Sequence, residues 1–265
     1  MKLSSGRTLI FCGLLAAAGC KGDEGQLESS KGSAAPPASA SGAGASNGTQ
    51  DGALAGLRVR FVGGTFESGE TDLVALITKE TGAAPTRIQE AGTPPALTAA
   101  DLADQDVLVL DNLVRVYTAP EATLLADWVA AGHGLIVMGG FANDSTRVAN
   151  VGDSYGVSYV PEYIASSSPG TYVTDLSLNA LTGGVSSLRL YGGFRLKTNN
   201  QNAVAFATIA PDPVGFAVTQ GAGRVVVWGD DWLLSDQEVR RIDEAKAAPT
   251  AVFWKNALAW ASARD

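Results

Sequence analysis

The hydrophobic positions of residues 54–265 follow two alternating periods. Short apolar runs, typical of buried strands, are succeeded by segments in which apolar residues recur every three or four positions, as in amphipathic helices. In the first part the predicted strands are LRVRFVGG (57–64), PTRIQ (85–89), DVLVLDN (106–112) and GLIVM (134–138), and the predicted helices are TDLVALITKETG (71–82), TAADLADQ (98–105) and APEATLLADWVAAG (119–132). This alternation predicts a parallel sheet with helices on both faces.

The second part of this region is less regular. It predicts a short helix at 143–156, capped by Asp144 or Ser145 and closed by Gly156, followed by strands that glycine and proline turns separate. These strands are VSYVPEYI (157–164), SLRLYGGFRL (187–196), AVAFATIA (203–210), VGFAVTQGAG (214–223) and RVVVWGDD (224–231). The tail at 235–264 has helical spacing that a proline divides in two. The whole pattern predicts an α/β fold: a flavodoxin-like, mostly parallel sheet with an added antiparallel section.

Residues 1–19 have the pattern of a targeting segment. A basic start precedes an apolar run at 8–18, which is too short to cross a bilayer core. The segment LLAAAGC (14–20) resembles the lipobox of bacterial lipoproteins, although Ala17 stands where the lipobox usually has leucine. This resemblance implies a lipoprotein signal peptide at 1–19 and a lipid on Cys20. The alternative is an ordinary secreted protein whose signal ends at a cysteine.

The cysteine count favours the lipoprotein. Cys12 and Cys20 are the two cysteines of the chain, and Cys12 would leave with the signal, so Cys20 has no disulfide partner in the mature chain. The stretch at 20–53 is dominated by glycine, serine, alanine and proline, which predicts a disordered tether. The remaining 54–265 are enough for one sizeable core and form the predicted α/β domain.

The chain is acidic, with a formal net charge of −8. Loss of the signal removes the two positive charges of Lys2 and Arg7, which takes the net charge from −8 to −10. This balance argues against nucleic acid or an anionic bilayer surface as a direct partner. We therefore expect a cell-envelope protein, anchored at the periplasmic or outer-membrane surface through lipidated Cys20, with an envelope protein or a saccharide as its partner.

Several segments together carry a second resemblance. They are DVLVLDN (106–112), APEATLLADWVAAGHGLIVMGG (119–140), LTGGV (181–185), GRVVVWGDDWLLSD (223–236) and FWKNALAWA (253–261). They resemble the class I glutamine amidotransferase-like fold, specifically its non-amidotransferase branch, which includes trehalose-utilisation-like domains and periplasmic motility- or transport-associated domains. The resemblance covers 57–261. It implies a fold rather than a function, because this fold hosts many activities.

The nucleophile that the resemblance would supply is missing. In the amidotransferases a cysteine follows the strand that matches 135–138, whereas this chain has Gly139, Gly140 and Phe141 there. No cysteine occurs anywhere in 54–265. Glutamine hydrolysis by a cysteine thiolate is therefore excluded by the residue inventory.

Two other candidate catalytic residues are better explained as structural. His133 is the single histidine and lies in the turn at the amino end of a predicted strand, away from the usual ligand crevice. Ser154 occupies the nucleophile position of a G-x-S-x-G pattern in GDSYG (152–156), but a strand before it, a helix after it and a later histidine are lacking. The chain also has neither the dinucleotide nor the P-loop glycine motif.

The remaining candidates are expected at the carboxyl edge of the sheet, because each follows a predicted strand. They are Gly63, Gly64, Asp111, Asn112, Gly139, Gly140, Asp230 and Asp231. Gly63 and Gly64 after the first predicted strand suggest a phosphate-binding loop, and the alternative is that they only permit a tight turn. The carboxylates and the amide would suit Ca²⁺, Mg²⁺ or sugar hydroxyls, although we expect no obligatory cofactor. The alternative is that Asp111, Asp231 and Ser235 only satisfy backbone N–H groups of turns and helices.

Two functions follow from these features. The leading interpretation is a lipid-anchored envelope protein whose amidotransferase-like domain is a non-catalytic binding or scaffolding module. The alternative is a hydrolase that acts on a sugar or an ester through Asp111, Asp230 and Asp231, with or without a divalent metal.

Overall fold

The computed structural model describes residues 52–64, 69–140, 144–164, 170–243 and 248–264. The predicted signal, Cys20 and nearly all of the predicted tether lie outside these ranges. The strands are β1 (Val59–Gly63), β2 (Thr86–Gln89), β3 (Val107–Asp111), β4 (Gly134–Met138), β5 (Val157–Ile164), β6 (Thr171–Val173), β7 (Asp175–Leu176), β8 (Leu188–Leu190), β9 (Gly193–Thr198), β10 (Ala203–Ile209), β11 (Asp212–Gln220) and β12 (Gly223–Trp228). The helices are α1 (Thr71–Thr81), α2 (Ala99–Leu102), α3 (Ala119–Ala130), α4 (Asp144–Arg147), α5 (Ala149–Ser154), α6 (Asn179–Thr182), α7 (Asp236–Val239) and α8 (Pro249–Ala261), with a 3-10 turn at Trp232–Leu234.

Eight strands form the main sheet, in the order β2-β1-β3-β4-β12-β11-β10-β7. The first five are parallel, and they have the strand order of a flavodoxin-like sheet. The strands β11, β10 and β7 add an antiparallel section beyond β12. The predicted fold class, with its mostly parallel sheet and antiparallel addition, is therefore confirmed.

Alternate residues of the parallel strands bury side chains on opposite faces of the sheet. Phe61, Val109 and Ile136 belong to one buried cluster, which α1 and α8 cover. Their sequence neighbours, such as Val62 and Leu110, belong to a second cluster beneath α3. Both faces of the sheet are buried, which explains why apolar and polar residues do not alternate along these strands.

The helix boundaries follow the predicted signals. Gly82 ends α1 in the left-handed conformation, with φ of 84°. Thr118 caps α3 and forms a reciprocal capping box with Glu121. Gly82 therefore marks the beginning of the loop between α1 and β2, and Thr118 marks the end of the loop between β3 and α3.

Three predicted elements differ from the observed ones. The segment 187–196 is two strands that do not pair with each other, because β8 pairs with β6 and β9 pairs with β5. The single helix predicted at 143–156 is divided into α4 and α5. Among the described residues of the tail, α7 and α8 are the helical segments, and Pro249 lies at the beginning of α8, where proline is compatible with a first helical turn.

A separate pair of strands, β5 and β9, lies over the carboxyl ends of β4 and β12. The hydroxyl of Tyr159 in β5 donates to the carbonyl of Trp228 at 3.2 Å. The N–H of Phe194 in β9 donates to the carbonyl of Gly229 at 2.8 Å. Along the described ranges no helix is both long enough and apolar enough to span a bilayer.

Candidate functional site

The predicted crevice residues lie at the carboxyl edge of the parallel strands, but they form two groups. The first group lies at the carboxyl ends of β1 and β3, where the strand order reverses, and consists of Gly63, Gly64, Asp111 and Asn112. The second group follows β4 and β12 and consists of Gly139, Gly140, Asp230 and Asp231. The two groups have different surroundings.

In the first group, Asp111 forms a bidentate ion pair with an arginine that the sequence analysis did not single out. Both terminal nitrogens of Arg87, from the edge strand β2, donate to the Asp111 carboxylate, at 3.0 and 2.8 Å. Arg87 also donates to the carbonyl of Gly64 at 3.1 Å and pairs with Glu70. The side chain of Asp111 is fully buried, so the guanidinium supplies most of its hydrogen bonds.

Gly63 permits β1 and β3 to approach each other at this point. A Cβ added to Gly63 would lie 1.6 Å from the Asp111 carbonyl oxygen, a distance that no side chain can occupy. Burial raises the pKa of Asp111 to about 7, although the hydrogen bonds and charge of Arg87 act in the opposite direction.

A second ion-pair cluster lies beside the first one, around Arg115 in the loop after β3. Its guanidinium donates to both oxygens of Glu121, at 2.9 and 2.6 Å, and to Glu90 at 2.8 Å. Glu121 also accepts from the backbone N–H of Leu97 and of Thr118. Burial opposes ionisation of Glu121, but these hydrogen bonds outweigh it and lower its pKa to about 2. The cluster thereby fixes the loops after β2 and β3 relative to each other.

The second group of predicted residues is covered by other parts of the domain. A Cβ on Gly139 would lie 2.9 Å from the ring of Tyr159, and one on Gly140 would lie 2.4 Å from the backbone nitrogen of Asp231. The N–H of Gly139 donates to the carbonyl of Trp228 at 3.1 Å. The glycines therefore allow close packing beneath the β5–β9 pair.

Asp230 is buried and binds backbone N–H groups of its own chain. Its Oδ2 accepts from Tyr191 at 2.5 Å and from Gly192 at 3.3 Å, and its Oδ1 accepts from Trp232 at 2.8 Å. The carboxylate thus joins the end of β12 to the turn between β8 and β9. Burial raises the pKa of Asp230 to about 7 despite these three hydrogen bonds.

The predicted capping roles are distributed differently. Ser235 accepts from the N–H of Glu238 and caps α7. Asp231 is the N-cap residue of the 3-10 turn, but its side chain makes no capping hydrogen bond there. Asp111 pairs with Arg87 instead of capping a turn.

The N-terminus of α1 lies at the same edge of the sheet and is filled by a carboxylate of the chain itself. Oδ1 of Asp236 accepts from the N–H of Asp72 at 2.8 Å, and the N–H of Asp236 donates to the carbonyl of Gly69 at 3.0 Å. A phosphate bound after Gly63 and Gly64 would compete with this side chain for the positive end of the helix. Residue 65 of the suggested phosphate loop lies outside the described ranges.

Ser154 and His133 lie in ordinary structural positions. The hydroxyl of Ser154 donates to the carbonyl of Asn150 within α5, at 2.9 Å. His133 precedes β4 at the amino edge, and its ring stacks on Trp128 with the centroids 4.5 Å apart. Both side chains have their contacts away from Asp111 and Asp230.

Metal ligands do not converge at this edge in the described part of the chain. No group of three or more histidine, cysteine, aspartate or glutamate side chains there could hold a metal ion. The carboxylates at the edge of the sheet meet arginines and backbone N–H groups instead.

The raised pKa values of Asp111 and Asp230 predict a specific dependence of stability on pH. The folded protein binds these two protons more tightly than the unfolded chain, in which an aspartate titrates near pH 4. Their contribution is therefore most favourable below about pH 4 and is lost as the pH rises through about 7. We expect the free energy of unfolding, measured by urea denaturation, to fall between pH 5 and pH 8.

The Asp230→Asn variant should show a flatter pH profile over the same interval, because one of the two titrating groups is gone. Asp104→Asn is the matched control, since the side chain of Asp104 is 89% exposed, and it should keep the wild-type slope. An unchanged slope in Asp230→Asn would contradict the assignment.

The similarity of this chain to known proteins is a similarity of fold. No protein-family profile matches the chain, and no curated protein sequence matches it. The mmIFT52 N-terminal domain has a similar structure, with 16% sequence identity and a TM-score of 0.60 over 77% of this chain and 97% of that one. Cytoplasmic Protein STM3548 from Salmonella typhimurium is similar with 16% identity and a TM-score of 0.57, over 76% of this chain and 98% of that one.

A ThuA-like protein from Parabacteroides merdae is also among the structural neighbours. It has 10% identity and a TM-score of 0.48, over 77% of this chain and 90% of that one. A likeness at that level supports no inference about function. The fold is therefore a property that this chain has in common with proteins of different description.

Proposed function

We propose that this protein is a lipid-anchored component of the cell envelope whose α/β domain is a non-catalytic binding or scaffolding module. One observation carries the proposal: the two buried carboxylates at the carboxyl edge are already bound by groups of the protein itself. Arg87 donates hydrogen bonds to both carboxylate oxygens of Asp111, and three backbone N–H groups donate hydrogen bonds to the carboxylate of Asp230. A general base or a metal ligand needs an oxygen that faces the substrate or the ion.

The surroundings of the second group support the same conclusion. Tyr159 packs against Gly139, and the backbone of Asp230 and Asp231 packs against Gly140. A substrate would have to displace the β5–β9 pair to reach this turn. The residues that follow β4 are Gly139, Gly140 and Phe141, and none of them has a nucleophilic side chain.

The part of the edge that we assign to partner binding is the loop after β3. Val116 is 51% exposed there, and Arg115 beside it is held by Glu90 and Glu121. Buried ion pairs hold this loop in place, and its apolar side chain is exposed. The loop therefore offers a partner a preorganised contact surface. An envelope protein is the partner class that we favour, with a saccharide as the second class.

The envelope location rests on the N-terminal sequence. A basic start, a short apolar run and the lipobox-like segment 14–20 support cleavage before Cys20 and lipidation of this residue. The stretch at 20–53 would then connect the lipid to the α/β domain.

Replacement of the lipidated cysteine gives a direct test of the anchor. Cys20→Ala should abolish incorporation of labelled palmitate and move the protein from the detergent phase to the aqueous phase in Triton X-114 partitioning. Cys12→Ala is the matched control, because that residue would be removed with the signal, and it should partition like the wild type. Equal labelling of the wild type and Cys20→Ala would exclude Cys20 as the lipidation site.

Partner binding can be tested with the full-length lipoprotein, purified from detergent-solubilised envelope after mild cross-linking. A specific co-purifying envelope protein, recovered less well with Val116→Asp, would support the binding module. Recovery that is unaffected by Val116→Asp would exclude the loop after β3 as the contact surface.

The alternative hydrolase has one observation in its favour. Asp111 and Asp230 both have pKa values raised to about 7, and perturbed carboxylates of this kind occur in general acids and bases. A metal-dependent hydrolase predicts tight binding of Ca²⁺ or Mg²⁺ by the chelator-treated protein, and loss of this binding in Asp230→Asn. A calorimetric titration without saturable binding would leave the metal-dependent alternative without support.

A further inference from the structure

We infer that Arg189 is the anion-binding residue of a site for a small carboxylate, beside the rings of Tyr191 and Trp232 at the carboxyl edge of the sheet. The site involves neither the loop after β3 nor the lipid on Cys20, so it goes beyond the proposed function. The observation behind it is a buried guanidinium that has no hydrogen-bond acceptor among the described residues.

The side chain of Arg189 is held firmly by its surroundings. Arg189 is the middle residue of β8, and 6% of its side chain is exposed. Its neighbours in the strand, Leu188 and Leu190, are fully buried. The chain at Gly170 covers the aliphatic stem, since a Cβ added to Gly170 would lie 3.2 Å from Cγ and 3.3 Å from Cδ of Arg189. The guanidinium is therefore in place before any ligand arrives, which lowers the entropic cost of binding.

Arg189 differs from other well-buried arginines in its hydrogen bonds. Arg87 and Arg115 each donate to carboxylates from more than one nitrogen, and Arg241 donates to Glu238 at 2.8 Å. Nε of Arg189 lies 2.9 Å from Oε1 of Glu238, but both atoms are buried without a hydrogen bond. Among the described residues neither terminal nitrogen of Arg189 has an acceptor. A guanidinium has five donors, and buried donors without acceptors are rare because they are costly.

The charge of this cluster favours a monoanion. Arg189 and Arg241 both pair with the one carboxylate of Glu238, which is fully buried. Two cations and one anion leave one positive charge in a largely buried place. Asp230 is a further acid near Glu238, but three backbone N–H groups bind it, and burial raises its pKa to about 7. One carboxylate from a ligand would balance the remaining charge, whereas a dianion would reverse it.

The neighbouring rings favour a carboxylate that is attached to a small organic body. Tyr191 and Trp232 are stacked with their centroids 4.5 Å apart, and Cζ of Arg189 lies 5.7 and 5.6 Å from these centroids. The rings flank the guanidinium, but their carbons are not acceptors for its N–H groups. A planar carboxylate accepts two parallel N–H groups of a guanidinium, and C–H groups of the ligand can pack against the rings. Because the side chain is 6% exposed, a small ligand reaches it and the flat face of a large partner does not.

Calorimetric titration of the full-length protein in detergent tests the site. Sodium glucuronate has a sugar ring with a carboxylate, acetate has the carboxylate alone, glucose has the ring alone, and sulfate is a dianion. We expect saturable binding of glucuronate that acetate displaces, weaker binding of sulfate, and no binding of glucose. Arg189→Lys keeps the positive charge beside Glu238 and should fold, but it lacks the planar fork. Its affinity for glucuronate should be lower by a factor of about 10 or more, the usual effect of losing a charge-assisted hydrogen bond.

Two further variants complete the test. Tyr191→Leu keeps the ion pairs of Arg189 and removes one ring, so it should weaken binding of glucuronate more than binding of acetate. It also locates the site if Arg189→Lys does not fold. Arg195→Lys is the matched control, because the side chain of Arg195 is 38% exposed and pairs with Asp212 at the surface. This control should bind glucuronate like the wild type.

Three results would overturn the inference. They are a wild type without saturable binding of either carboxylate, an Arg189→Lys protein with unchanged affinity for glucuronate, and binding of glucose as tight as that of glucuronate. None of them bears on the labelling of Cys20 or on the recovery of a partner with Val116→Asp. Failure of this site is therefore distinguishable from failure of the proposed function.

Discussion

Arg87→Met is expected to lower the free energy of unfolding by about 3–5 kcal/mol, the usual cost of leaving one member of a buried ion pair without its partner. Asp111 is fully buried, and it would lose the guanidinium that donates to both of its oxygens. The loss should be larger at pH 8 than at pH 5, because protonation of Asp111 relieves the buried charge. Chemical denaturation at the two pH values measures both effects.

Arg58→Met is the matched control for this variant. The side chain of Arg58 is 51% exposed, and it pairs with Asp104 and Asp106 at the surface. Exposed ion pairs contribute about 0–1 kcal/mol, so the control should be close to the wild type. The double variant Arg87→Met with Asp111→Leu should regain much of the lost stability, since no buried charge remains. An Arg87→Met protein as stable as the control would contradict the assigned role of the pair.

Gly63→Ala should have a still larger effect and is expected to prevent stable folding. The added Cβ would lie 1.6 Å from the Asp111 carbonyl oxygen, and both atoms belong to adjacent strands of the sheet. The clash is relieved only if β1 and β3 move apart, at the place where the strand order of the sheet reverses. We expect a loss above about 4 kcal/mol, which is exceptional for a single substitution, and the measurement is thermal unfolding of whatever soluble protein is obtained.

Gly82→Ala separates the clash from the conformational preference of glycine. Gly82 has φ of 84°, and an added Cβ would meet no atom within 4 Å. A left-handed alanine costs about 1–2 kcal/mol, so this variant should fold with a modest loss of stability. A Gly63→Ala protein no less stable than Gly82→Ala would show that the strands separate without much cost.

The sequence was informative where local chemistry decides the structure. The runs at 106–112 and 134–138 are apolar and bounded by polar or glycine residues, and they became β3 and β4 within one or two residues. Gly82 and the T-x-x-E box at Thr118 placed helix ends correctly, because caps depend on a few neighbouring residues. The same box could have drawn attention to Glu121, the acceptor at the centre of the Arg115 cluster.

The sequence was uninformative where partners lie far apart along the chain. Nothing in TRIQ (86–89) indicates that Arg87 would reach a carboxylate 24 residues away. Asp236 meets the first turn of α1 across 164 residues, and no local signal links these segments. The prediction of one continuous segment at 187–196 was wrong because pairing of β8 with β6, and of β9 with β5, is a choice among distant strands.

By itself the sequence determined the α/β class, the segments that form the parallel strands, and the lack of a cysteine nucleophile in 54–265. These follow from apolar period, strand direction and residue inventory, which are local or additive properties. Only the tertiary structure decided that Asp111 faces Arg87, that Asp230 faces backbone N–H groups, and that Tyr159 covers Gly139. The occupancy of a buried oxygen depends on which distant atoms the folded chain brings within about 3 Å of it, and one-dimensional spacing does not encode that.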